Sequence, residues 1–290
     1  MLKKRVIACL VVKDGIVVQS IGFKKYLPVG KPAIAVEFLN QWGIDEIILV
    51  DITATKQGRE PNFKMFRELS QKCYVPLTIG GGITKVEHVS ELMHCGADKF
   101  SINKTALQTP EFITKTAHIY GNQCVVVSID VLKGDDGQYR VYDYTTRAAI
   151  DKNPVQWAKE AEELGAGEIF LTSVNRDGSY LGYDIEMVQQ VAAAVSIPVI
   201  ASGGAKNALD FKKVFDNTGA MAASAANFFH FTEHSVVIAK TALVAKNSPV
   251  RLETYANYTE NPLDSEFRVL KKEDKTLEEM LFMRIEKEII

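Results

Sequence analysis

The chain has 290 residues, 47% of them apolar and 24% charged, and a formal net charge of −2. That length suits one large domain or two small ones, and the apolar share can fill a complete core. The near-neutral balance excludes non-specific nucleic-acid binding, which needs a basic surface, and no apolar run approaches the ~20 residues of a membrane span.

The opening stretch MLKKRVIACLVV sets basic residues before an apolar run, as a secretory signal does. The run is β-branched, lacks a small-residue cleavage site and passes directly into Lys13-Asp14-Gly15. It reads as a first strand, and the chain is expected in the cytoplasm. From there, short β-rich runs at 5–12, 46–51, 75–79, 98–102, 124–130, 168–173, 197–202 and 220–224 alternate with amphipathic stretches at 32–42, 62–72, 85–95, 154–164, 185–195 and 208–215. Several of the runs are continuously apolar, as parallel strands covered on both faces are. Eight such strands with intervening helices predict a closed (β/α)8 barrel, and no dinucleotide fingerprint opens the first unit to favour an open doubly wound sheet.

An internal repeat supports this reading. Val75-Pro76-Leu77-Thr78-Ile79-Gly80-Gly81-Gly82-Ile83 recurs as Ile197-Pro198-Val199-Ile200-Ala201-Ser202-Gly203-Gly204-Ala205, 122 positions later. Asp45-Glu46-Ile47-Ile48-Leu49 returns as Gly167-Glu168-Ile169-Phe170-Leu171 at the same offset, and Gly96-Ala97 matches Gly219-Ala220. Two half-barrels of four βα units are therefore expected. Gly81-Gly82 and Gly203-Gly204 each end a strand, the end at which barrels of this type carry their sites. Glycine there lets backbone N–H groups approach phosphate oxygens, so two facing cradles suit a ligand with a phosphate at each end. Alternatively they only form tight turns. Asp177-Gly178 is expected to add loop contacts to the phosphate.

Asp51-Ile52-Thr53-Ala54-Thr55, Pro76–Ile83, Gly96-Ala97-Asp98-Lys99 with Ser101-Ile102-Asn103, Gln123–Val127, Trp157–Glu160, Glu163–Ile169, Arg176-Asp177-Gly178 and Ser202–Ala205 together resemble the cyclase subunit of imidazole glycerol phosphate synthase. The resemblance runs from residue 1 to about 250. It implies a barrel that admits ammonia from a partner glutaminase at its N-terminal face and passes it to a bisphosphorylated imidazolecarboxamide intermediate at the other. It further implies an ammonia gate at Arg5, Glu46, Lys99 and Glu168, a glutaminase contact at Asp98, and phosphate contacts at Gly81, Gly82, Asn103, Asp177, Gly178, Gly203 and Gly204. Strand-entry charges that merely solvate the barrel's lower face are the plainer alternative for the gate.

At the chemical end the family pattern is broken. It pairs two aspartates as acid and base, which a proton relay requires. Asp130 matches one; Val11 stands at the other, and a valine moves no proton. Asp14 lies in the loop beyond the strand and is no substitute. Gln19 replaces a family lysine, Lys104 a small hydroxyl residue and Asn227 a serine. Such sequences resemble paralogues associated with amidation of surface-polysaccharide sugars, where a cyclase-like and a glutaminase-like protein supply ammonia to a sugar amidotransferase. The alternatives are a working cyclase of histidine biosynthesis that tolerates Val11, and a non-catalytic scaffold that activates a glutaminase.

Cys9, Cys73, Cys95 and Cys124 lack metal-ligand spacing and are expected as buried free thiols. His88, His94, His118, His230 and His234 form no third-ligand set, so neither metal nor cofactor is expected. Residues 251–274 read as polar and irregular, a C-terminal extension to the barrel of residues 1–250. Apolar positions at Leu277, Met280, Leu281, Ile285 and Ile289, with Thr276 and Glu279 as a capping box, predict a terminal helix over 276–289.

Overall fold

The computed structural model describes residues 3–232, 234–270 and 272–278; most of the terminal helix expected over 276–289 lies outside them. Among the described residues, eight parallel strands close a barrel: β1 (Arg5–Lys13), β2 (Glu46–Asp51), β3 (Leu77–Gly80), β4 (Lys99–Ile102), β5 (Val125–Lys133), β6 (Glu168–Ser173), β7 (Val199–Ser202) and β8 (Ala222–Ala225). Each pairs with its sequence neighbours, β8 returns to β1, and the β5–β6 pairing runs from Glu168 opposite Val126 to Ser173 opposite Val131. The (β/α)8 expectation holds. No helix of the described residues is long and apolar enough to cross a membrane.

The repeat is visible in the hydrogen bonding. β3 and β7 begin one residue after Pro76 and Pro198, which have no N–H for the ladder. Each proline carbonyl nevertheless accepts the amide of the preceding strand, Ile47 N–H to Pro76 and Ile169 N–H to Pro198. The same βα unit thus closes both halves in the same register.

Helices cover the barrel with caps that the sequence supplies locally. Asn62, Asn153, Asp184 and Asn207 each accept backbone N–H groups at a helix start, the preferred chemistry for that position. The last helix among the described residues covers Asp274–Glu278. The eighth barrel helix, Ser235–Ala245, escapes periodicity analysis because it is apolar nearly all round: eight of its eleven residues are buried. One side faces the barrel. Leu263 and Phe267, from the segment after residue 250, pack on Ala208, Ala239 and Ala242 on the other. A helix buried on both faces has no amphipathic stripe to read.

Two hairpins on the C-terminal face were not legible as strands. β1 turns back through Asp14 and Gly15, both with positive φ, into Ile16–Ile21, which pairs with Lys25–Gly30. An Asp-Gly pair at two positive-φ positions is the sequence preference of a tight two-residue hairpin. β5 likewise extends into Tyr139–Asp143, paired with Ala148–Ala149.

Candidate active site

Alternation along the strands sorts the barrel interior into three layers. At the N-terminal end Arg5 (β1), Glu46 (β2), Lys99 (β4) and Glu168 (β6) form a closed ring of alternating charge. Arg5 Nη1 donates to Glu46 Oε2 at 2.5 Å, and Arg5 Nη2 to Glu168 Oε1. Lys99 Nζ lies 2.9 Å from both Glu46 Oε1 and Glu168 Oε2. Thr78 of β3 adds its hydroxyl to Glu46 at 3.0 Å. Both carboxylates are buried and each takes two cations, which offsets the cost of removing them from water. Asp98, next to this ring in sequence, is exposed, and its Oδ2 accepts the Leu77 N–H at 2.8 Å.

Above the ring lies an apolar layer of Ile7, Cys9, Ile48, Val126, Phe170, Ile200 and Ala222. Burial pushes the Cys9 thiol up to about 12, so it stays neutral there. Above that layer opens a cavity of about 1020 Å³, counting the solvent in its mouth. Its walls include four hydroxyls from four successive strands, Ser101, Ser128, Thr172 and Ser202.

Asp130 of β5 and Val11 of β1 both face this cavity. Asp130 is 6% exposed, and burial pushes its carboxyl up to about 7; the Asn103 amide opposes that shift, while Asp177 and Asp143 add to it. Asn103 Nδ2 donates to Asp130 Oδ2 at 2.8 Å. One donor of the Asn103 side-chain amide, a residue expected at a phosphate, thus orients the carboxylate. The exposed Asp14 bonds Lys13 and Gln57.

Asp177 holds the hairpin that follows β1. Its carboxylate accepts the Ser20 hydroxyl at 2.6 Å and the Gly22 and Phe23 N–H groups are turned to the same residue. It fastens the first hairpin across the mouth. Burial raises its pKa. Asn227 fastens the same hairpin: its Oδ1 accepts Ser20 N–H at 3.2 Å and its Nδ2 donates to Ser20 O at 2.8 Å. Gln19 Nε2 reaches Tyr180 Oη at 3.5 Å.

The glycine turns sit where the repeat places them, at the ends of β3 and β7, all with positive φ. Their need for glycine comes first from the protein itself. A Cβ at Gly81 would lie 2.3 Å from Asp51 O, at Gly82 2.8 Å from Arg59 O, at Gly203 2.8 Å from Ser173 O and at Gly204 2.2 Å from Gly182 O. Gly178 is equally tight against Ser20 O, at 2.5 Å. Bulkier residues there would disturb the loops before any ligand arrived, so such variants are poor probes of phosphate binding.

Lys104, Lys56 and Tyr144 line the cavity beside Gly80–Ile83. Lys104 Nζ lies 2.5 Å from Asp143 Oδ2, and Lys56 stands over the Tyr144 ring. Lys56, Tyr144 and Asp143 were missed in the sequence because no motif marks them; a hairpin returning over the mouth brings the last two in. Of the cysteines, Cys9 and Cys95 are buried whereas Cys73 and Cys124 are half-buried, and all four are free. His88 is buried, His94 and His118 are exposed, and His234 bonds the hydroxyls of Tyr255 and Tyr258. No group of three metal-ligating side chains occurs among the described residues.

Comparison with known proteins agrees with this architecture. The family model described as histidine biosynthesis protein matches residues 5–235. A Vibrio vulnificus protein, provisionally named imidazole glycerol phosphate synthase subunit hisF2, is 44% identical over 264 residues, 91% of this chain and 97% of the relative. The imidazole glycerol phosphate synthase subunit HisF of Streptococcus sanguinis is 40% identical over 252 residues, 87% of this chain and 100% of its own length. That of Lactiplantibacillus plantarum is 43% identical over the same length and shares. With the family model covering most of the barrel and relatives matched end to end, the chain belongs to the HisF family of imidazole glycerol phosphate synthase subunits.

Proposed function

We propose that this protein is an ammonia-channelling subunit. It takes ammonia from a separate glutaminase at the Arg5–Glu46–Lys99–Glu168 ring and delivers it at the opposite face for amidation of a surface-polysaccharide sugar. The observation that carries the reading is the contrast along one axis: a complete ring of four charges at the entry, and Val11 opposite the only carboxylate of the expected pair at the exit. Between them, the apolar layer suits neutral ammonia and opposes ammonium, whose desolvation there is costly. The hydroxyls of Ser101, Ser128, Thr172 and Ser202 can donate to ammonia and accept from it as it reaches the mouth. The three-way engagement of Asp177 and the clamp of Asn227 hold a hairpin over one side of the mouth.

In this reading a glutaminase docks over Asp98 and the ring, and a sugar amidotransferase uses the ammonia. Lys99 is the moving part best suited to a gate, since its single ammonium bridges both carboxylates while Arg5 holds them independently. Co-purification with a glutaminase, followed by the ratio of glutamine hydrolysed to ammonia used in Lys99→Ala, tests this. Uncoupling with free ammonia still usable is expected. A stoichiometry unchanged from the parent, or no associating glutaminase, would sink the gate.

A second reading keeps cyclase chemistry. Its support is Asp130, whose carboxyl near neutrality can give and take a proton by itself. Turnover of the imidazolecarboxamide intermediate with ammonia, at a rate like that of other HisF subunits, would favour it.

A further inference from the structure

Strand register carries a line of side chains up the inner wall of the barrel. Paired residues of adjacent parallel strands face the same side, and strand tilt makes a row of such pairs climb along the barrel axis. Glu46 of the ring pairs with Ile7 of β1, Ile7 with Ser224 of β8, and Ser224 with Ser202 of β7. Ser202 pairs in turn with Thr172 of β6, and Thr172 with Asp130 of β5. One row therefore joins the charged ring to the carboxyl at the mouth, and Ile7 is the apolar break in it.

Ser224 is the unusual step of that row. Thr172 and Ser202 line the open cavity, whereas Ser224 is fully buried and does not. Its Oγ has no hydrogen-bond partner among the described residues. A buried hydroxyl left unpaired is costly, and folded proteins keep few of them. The inward positions on either side of it along the β8 wall are small, Ala222 in the apolar layer and Ala226 at the cavity. The Tyr183 hydroxyl bonds the Ser224 carbonyl at 3.0 Å, which fixes the backbone that presents the side chain. A polar group is thus held inside the barrel, aimed at a stretch of wall built from alanines.

We propose that Ser224 is a binding station for ammonia inside the barrel. Its hydroxyl takes the neutral molecule one strand beyond Ile7 and passes it to Ser202 and Thr172, which bring it to Asp130 at the mouth. A serine hydroxyl offers one donor and two acceptor sites, so ammonia exchanges one partner for the next along the row. The station shortens the dry crossing to two strand spacings, about 10 Å between the Glu46 and Ser224 backbones. Without it a polar molecule would cross the whole apolar layer unpartnered. The proposal rests on the reading above, in which ammonia crosses the barrel, and adds the route, up the wall of β8, β7 and β6. On the β3 side the Thr78 hydroxyl is already held by Glu46 at 3.0 Å.

Hydroxylamine, an ammonia analogue that is uncharged at neutral pH, is the probe on the chain alone. Crystals soaked in it should show density within hydrogen-bond distance of Ser224 Oγ. Ser224→Leu, which fills the step, should abolish that density, and Ser224→Ala should lower its occupancy by at least about threefold. Ser224→Thr, which keeps the hydroxyl, should retain it. In the assembly with glutaminase and amidotransferase, free ammonium reaches the mouth without crossing the barrel and serves as the reference. The ratio of glutamine-dependent to ammonium-dependent amidation should fall by at least about fivefold in Ser224→Leu and recover in Ser224→Thr. No density in the parent, density unchanged in Ser224→Ala, or a ratio unchanged in Ser224→Leu overturns the proposal. Should Ser224→Leu not fold, the Ser224→Ala occupancy decides. If the parent itself shows no coupling, the conduit reading fails, and the soak still decides whether Ser224 is a site.

Discussion

The two ends of the barrel are built from the same strands but hold their charges differently. At the N-terminal end four side chains neutralise one another in a closed ring, with every carboxylate oxygen in the ring engaged. At the C-terminal end charge is local and unbalanced: Asp130 has one amide partner, Lys104 one carboxylate, and Asp177 a hairpin. Replacing a member of a ring of mutual partners disturbs its neighbours, because a lost carboxylate or cation leaves a buried partner short of counter-charge. A mouth of separate groups can exchange one residue at a time. Val11, Gln19, Lys104 and Asn227, the positions that depart from the resemblance, are all at that end.

The largest expected effect tests that contrast at the mouth. Turnover of the imidazolecarboxamide intermediate should fall short of other HisF subunits by about 10²–10⁴-fold, the usual contribution of a proton-transfer residue. Val11→Asp should recover part of it, and no gain in a steady-state assay would place the deficit in Gln19, Lys104 or Asn227 as well. At the other end, Glu46→Gln leaves Arg5 and Lys99 sharing one carboxylate. Denaturant titration should find a loss of about 3–5 kcal/mol, the range for breaking a buried ion pair. A neutral result would mean that water reaches the ring.

Asp130 should reveal itself through pH. Its carboxyl rises from 3.8 to about 7 on folding, so the native state holds the proton more tightly than the unfolded chain does. Below pH ~4 both states are protonated and nothing is lost; between about 4 and 7 stability falls as pH rises, by at most about 4 kcal/mol for that shift. Asp130→Asn should therefore raise the melting temperature at pH 8 and leave it nearly unchanged at pH 4. An equal effect at both would remove burial as the cause. Asp143, held down to about 2, acts in the other direction, its contribution vanishing as pH falls below ~4 toward 2. The smallest effect concerns the roof: Asn227→Ala removes two hydrogen bonds to Ser20 and should cost about 1–2 kcal/mol. Hydrogen exchange at the Ser20 amide should quicken while the β1 amides stay protected; unchanged exchange would show that Asp177 alone holds the hairpin.

The sequence by itself determined the barrel, because parallel strands and their covering helices leave local marks. The apolar runs, the Asn and Asp caps and the repeat at Pro76 and Pro198 are all written within a few residues of where they act. It also determined which four charges stand at strand entries, since position along a strand sets height in the barrel. What only the tertiary structure decided depends on groups far apart in the chain. The ring closes because Arg5 and Glu168 meet across 163 positions. Asn103 orients Asp130 because a neighbouring strand brings the carboxylate to its amide. Asp177 acts as a latch because a hairpin begun at Asp14-Gly15 folds back over the mouth. The eighth helix hid its periodicity because residues after 250 cover its outer side. The cationic side of the mouth, with Lys56 on the loop after β2 and Lys104 opening the short helix after β4, exists only once the barrel has closed and set the two side by side.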